Sequence, residues 1–228
     1  MDGMHQRSGR SLLTASARPW AGRVLAGCVI LVVVLGALFA HQATADRFDQ
    51  AVDSPFVTWF RGDPQLALWL AFPGTLMPAV VLSAAMVIGC LLTGRLAGAV
   101  LAAVAVPVTA GLNEALLKPL VHRTYLGQIS YPSGHTATIF ALAATAALLL
   151  LATPRPPRPP RPVRIVITVV ACGLGCVVAI GVIGLRWHYF TDTLAGAAVG
   201  IGTVCGLALL LDLPAIRRWL TAASGWRR

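Results

Sequence analysis

The chain alternates between six long apolar blocks and short polar stretches, the blocks falling at 24–41, 66–92, 96–117, 135–152, 165–184 and 194–211. Each is about 20 residues long, the length a helix rising about 1.5 Å per residue needs to cross a hydrocarbon core of about 30 Å. An open sheet edge cannot survive in lipid, so the pattern predicts six transmembrane helices. The second block is long enough to tilt, or to begin as an interfacial turn around Pro73 and Pro78. The predicted fold is an all-α integral membrane protein, a six-helix bundle over 24–212, with an N-terminal tail at 1–23 and a basic tail at 213–228.

Composition agrees with this reading. With 57% hydrophobic and 11% charged residues, the chain has too little polar surface to cover a water-soluble globule of 228 residues. The net charge of +10 does not indicate nucleic acid, because the arginines form no single patch with interleaved aromatics. They alternate between loops instead. Thirteen of the eighteen basic residues fall at the N-terminus, at Arg95, in the 155–164 segment and at the C-terminus. The opposite loops hold Arg47, Arg61, Lys118, Arg123 and Arg186 with Asp46, Asp49, Asp53, Asp63 and Asp192. The positive-inside rule then puts both termini in the cytoplasm of a multi-pass cell-membrane protein. Trp20, Trp69, Trp187 and Trp219 fall near predicted helix ends, where amphipathic rings favour the interface.

Ala43, Thr44 and Ala45 match a signal-peptidase pattern, but the apolar block before them is long enough to span and is expected to be a retained helix. All five cysteines lie inside predicted spans, where disulfides are not expected. The proline-rich stretch at 154–162 is expected to be a stiff polyproline II link.

The chemistry gathers in two outer loops. One contains Lys118, His122, Arg123 and then Tyr131-Pro132-Ser133-Gly134-His135; the other contains Arg186, His188 and Asp192. Ser133 and Gly134 stand where the fourth span begins, and the unpaired N–H groups of a helix start favour an anion. His135 is ionisable at the membrane boundary, a position that asks for a function. His188 and Asp192 are four apart, so on a helical turn the carboxylate would accept a hydrogen bond from the imidazole and fix its tautomer. Lys118 and Arg123 supply positive charge for a phosphate, and Glu114, one turn before Lys118, is expected to orient it by an ion pair.

This arrangement resembles the type 2 phosphatidic acid phosphatase (PAP2) family, whose signature runs KxxxxxxRP, PSGH, SRxxxxxHxxxD. Residues 132–135 carry PSGH intact and His188 to Asp192 carry HxxxD, with the resemblance covering about 60–212. Lys118 fits the first motif, but Tyr125 and Leu126 stand at its RP positions and Gly181 and Val182 at the SR positions of the third. Arg123 and Arg186 are the expected replacements for the missing arginines.

The resemblance implies an outward-facing, metal-independent lipid phosphatase that needs no cofactor. His188 would attack phosphorus to form a phosphohistidine, oriented by Asp192, while His135 protonates the leaving alkoxide and later activates water. Lys118, Arg123, Ser133, Gly134 and Arg186 would hold the phosphate oxygens. The implied partners are the bilayer and a lipid phosphate: phosphatidate, phosphatidylglycerol phosphate or polyprenyl pyrophosphate. A catalytically silent lipid-phosphate-binding relative and a lipid transporter are the alternatives.

Overall fold

The computed structural model describes residues 11–153 and 159–225, with side chains as far as Leu220. Eight helices and one small hairpin make up the described fold. Six helices are long and apolar enough to cross a membrane: α1 (Ala17–Phe39), α3 (Pro64–Leu92), α4 (Leu96–Val121), α5 (Gly134–Ala152), α6 (Arg161–Gly184) and α7 (Phe190–Leu211). Between the first two spans lies α2 (Arg47–Phe60), and α8 (Pro214–Gly225) follows the last. The expected spans all correspond to helices, several with ends beyond the apolar block, because polar residues extend a helix through the headgroup region. Of the proline-rich segment, 154–158 lie outside the described residues, while Arg161 and Pro162 open α6 and are therefore helical. Pro162 stands in the first turn, where its missing N–H costs nothing.

The exterior is apolar. Ile30, Val33, Leu76, Leu92 and Val169 are each more than 60% exposed, a surface suited to acyl chains rather than water. Half of the α7 window is buried against 11% of that of α3, so α7, with α4 and α5, forms the centre, and α3 lies at the periphery.

The tightest approach is between α5 and α7. A Cβ on Gly196 would strike the Thr136 hydroxyl and the Ser133 carbonyl, and one on Gly200 would strike the Ala137 carbonyl. Two glycines four residues apart thus let the helix backbones touch, the small-xxx-small packing that joins helices in lipid. The consequence is that PSGH and HxxxD sit side by side at one end of the bundle.

Prolines shape the other walls. Pro73 lies in a 3₁₀ turn, Phe72–Gly74, that breaks α3 where a Cβ on Gly74 would come within 2.9 Å of the His135 carbonyl. In α4, Pro119 cannot donate to the carbonyl four residues back, and the helix widens just before it into a π-turn, Leu112–Leu117. That turn carries Asn113 and Glu114 and leads into Lys118.

At the opposite end, Leu12 and Leu13 are buried, and their N–H groups donate to Asp212 at 2.6 and 3.1 Å. Arg18 pairs with the same carboxylate at 3.1 Å, tying the N-terminal segment to the end of α7.

Candidate active site

A cavity of about 650 Å³ opens among α4, the break in α3, the hairpin, the α5 N-terminus and the loop between α6 and α7. Its polar wall includes Lys118, Glu114, Gly134, His135, Arg186 and His188. The hairpin β1 (Thr124–Tyr125) and β2 (Gln128–Ile129) forms one rim. Its turn, Leu126 and Gly127, has both φ angles positive, as a tight hairpin connection requires.

His188 is buried, and its Nδ1 lies 2.7 Å from the Ser130 carbonyl. A carbonyl only accepts, so Nδ1 carries the proton and Nε2 keeps its lone pair. Burial, then the neighbouring His135 and Lys118, push the His188 pKa down to about 3 against the opposing pull of the Ser130 carbonyl. The ring is therefore neutral near pH 7. The His135 ring stands 6.3 Å away, centroid to centroid, and lies 5.4 Å from the Trp187 ring.

Asp192 does not make the hydrogen bond to His188 that the four-residue spacing suggested. Helix α7 begins at Phe190, after His188, so the two residues do not share a helical face. Asp192 instead accepts from the Tyr189 N–H at 3.0 Å and from Arg123 Nη1 at 2.7 Å.

Arg123 also departs from expectation. Its side chain is fully buried behind the cavity wall, with Nη2 paired to Asp49 at 2.6 Å and Nη1 shared between Asp192 and Thr191. The guanidinium lies 4.2 Å from both the Phe39 and Tyr189 ring centroids. Burial alone would lower its pKa, but Asp192 and Asp49 more than offset this and hold it protonated. Two carboxylates at contact distance hold its two Nη groups while its Nε is buried away from the cavity, so it organises the loop rather than facing the cavity.

Ser133 is likewise buried, receiving the Thr136 N–H at the start of α5 rather than lining the cavity. Of the eight expected site residues, the cavity brings together Lys118, Gly134, His135, Arg186 and His188, and leaves Arg123, Ser133 and Asp192 in the supporting layer. Lys118 is held by Glu114 at 2.7 Å, as its spacing predicted.

Sequence reasoning missed α2. Its residues Asp49 and Asp53 read as charges of an outer loop, yet both are buried. The first three N–H groups at the α7 start, those of Tyr189, Phe190 and Thr191, donate to Asp192, Asp53 and Asp49 respectively. Carboxylates already neutralise this helix end, whereas the α5 N-terminus, at Gly134 and His135, borders the cavity. The available signal was Asp46 as an N-cap followed by Asp49 and Asp53 at helical spacing, since Asp46 receives the Asp49 N–H at 2.7 Å.

Fold and cavity together define a multi-pass membrane protein with two histidines facing each other across an anion-suited pocket. The sequence model of the PAP2 superfamily matches residues 25–214, most of the chain, and the protein belongs to that superfamily. The fold is similar to the crystal structure of a transmembrane PAP2-type phosphatidylglycerolphosphate phosphatase from Bacillus subtilis, with a TM-score of 0.65 and 18% identity over 82% of this chain and 95% of that one. Comparison with curated proteins gives no match.

Proposed function

We propose that this protein hydrolyses the phosphate of a membrane lipid through a phosphohistidine on His188. The observation that carries the reading is the His188 ring, held neutral with Nδ1 on the Ser130 carbonyl and Nε2 free, opposite His135 in one cavity. In the first step Nε2 attacks phosphorus, the phosphorus–oxygen bond to the lipid breaks, and protonated His135 gives its proton to the leaving alkoxide. In the second, His135 takes a proton from water, the hydroxide attacks phosphorus, and the phosphorus–nitrogen bond breaks to restore neutral His188 and release phosphate. Lys118, Arg186 and the Gly134 N–H stabilise the equatorial oxygens. Asp192 acts at one remove, fixing the loop through Tyr189 and Arg123.

A lipid substrate is supported by the rim, where Leu76 and Leu126 are 76% and 65% exposed beside the polar wall. Phosphatidate, phosphatidylglycerol phosphate and polyprenyl pyrophosphate all meet that requirement, and phosphatidylglycerol phosphate is the substrate class named for the structural neighbour. The bias of arginine toward the other loops favours a cavity open to the outside of the cell membrane, with both termini in the cytoplasm.

A silent lipid-phosphate-binding relative is favoured by a single observation: Tyr125, Leu126, Gly181 and Val182 occupy the positions of the family's usual arginine motifs. Phosphate release from lipid phosphates in detergent with EDTA decides between them. Activity that persists, is blocked by vanadate and leaves an acid-labile phosphoenzyme lost in His188→Ala supports the proposal. Binding without turnover establishes the silent relative, and EDTA sensitivity restored by Mg²⁺ removes this mechanism.

A further inference from the structure

The charges lining the cavity limit how much phosphate it accepts. We propose that the site prefers a lipid phosphate monoester to a lipid diphosphate, and that Glu114 is the residue that sets this preference. The inference rests on the phosphatase reading of the cavity.

The side chains of fixed charge on the cavity wall are Lys118, Arg186 and Glu114, one of them negative. Lys118 Nζ lies 2.7 and 2.9 Å from the two Glu114 oxygens, so its charge is matched before any anion arrives. Arg123, close in sequence, does not line the cavity, because its side chain is fully buried with both Nη groups on Asp49 and Asp192. Tyr125 and Leu126 line the same wall and bring no charge.

The position of Glu114 matters as much as its sign. A Cβ on Gly134 would lie 3.4 Å from Glu114 Oε1 and 3.5 Å from Asn113 Nδ2, so the carboxylate stands over the first turn of α5. His135, which faces the leaving group, is the next residue. A monoester places its single phosphate between His188 and His135. A diphosphate carries its second phosphate on the leaving side, toward Glu114.

Like charges about 6 Å apart at an effective dielectric of about 20 repel by an amount equivalent to about 100-fold in binding. The Glu114 side chain is 57% exposed and paired with Lys118, and solvent screening together with the attraction of that ammonium reduces the expected discrimination to about tenfold.

The test uses the purified full chain in detergent with EDTA. Turnover of dioleoyl phosphatidate is compared with that of farnesyl diphosphate, and calorimetry compares binding of inorganic phosphate with that of pyrophosphate. The expected result is a preference of about tenfold for the single phosphate in kcat/KM and in affinity. Glu114→Gln, which also frees Lys118, should erase most of it by improving the diphosphate more than the monoester, and Glu114→Asp, which keeps the charge, should retain it. Monophosphate-selective binding without turnover of either lipid would support the inference while defeating the phosphatase reading. Equal or better use of the diphosphate by the unmodified protein, an unaltered ratio in Glu114→Gln, or binding of neither ion would overturn it.

Discussion

Arg123 is the residue at which a phosphate clamp and a buried organiser predict different outcomes. Removing it as Arg123→Gln leaves Asp49 and Asp192, both with fully buried side chains, without their shared cation. Breaking a buried ion pair by deleting one partner costs about 3–5 kcal/mol, and about 4 kcal/mol is expected here, with loss of the two ring contacts included. Asp49→Asn should cost about 3 kcal/mol, since Arg123 keeps Asp192 while the Thr191 N–H and hydroxyl lose a charged acceptor. The double variant should cost about 4 kcal/mol rather than the sum, because with a neutral asparagine at 49 only Asp192 is left without its cation once the arginine is gone. Stability is read from thermal unfolding in detergent, and orthophosphate affinity from calorimetry at a temperature where each variant is folded. An organiser predicts a coupling energy of about 3 kcal/mol and phosphate affinity within about threefold of the unmodified protein. Arg123→Gln with stability within about 1 kcal/mol of the unmodified protein and phosphate binding weakened by about 100-fold would refute the reasoning and return Arg123 to the phosphate.

Gly196→Ala should destabilise by about 3 kcal/mol and abolish turnover by pushing the Ser133 turn off α7, whereas Gly173→Ala, which meets only open space, should be silent in thermal melts and assays alike. Asp53 has its pKa raised to about 7, first by burial and then by the charge of Asp49, with the Phe190 N–H and Arg123 opposing. Its folded form holds the proton more tightly than the unfolded chain, so stability is lost as pH rises from about 4 to about 7. Asp53→Asn should therefore gain melting temperature over the unmodified protein across that window and keep the gain above it; a gain that shrinks with pH would contradict this. Arg186 has φ 60°, a left-handed backbone that costs a non-glycine residue about 1 kcal/mol. Arg186→Gly should be more stable than Arg186→Ala by about that amount, while both lose about 100-fold in turnover; unaltered turnover in both would make Arg186 an interfacial anchor.

The six spans were legible in the sequence because hydrophobic length is a local property: a block of about 20 apolar residues has one way to satisfy its backbone in lipid. The pairing of Glu114 with Lys118 was legible for the same reason, since helical spacing alone puts them one turn apart. The histidines, Lys118 and Gly134 of the cavity could be named from motif order, and Arg186 only from its place two residues before His188. Their distances could not, since they depend on Gly196 and Gly200 letting α7 touch α5. The roles of Asp192 and Arg123 were decided only by the tertiary structure. The exact start of α7 takes Asp192 off the His188 face, and α2, too short and polar to register as a span, brings Asp49 against Arg123 from 74 residues away. A charged residue's partner is chosen by whichever opposite charge the packing buries beside it, and sequence distance carries no information about that choice.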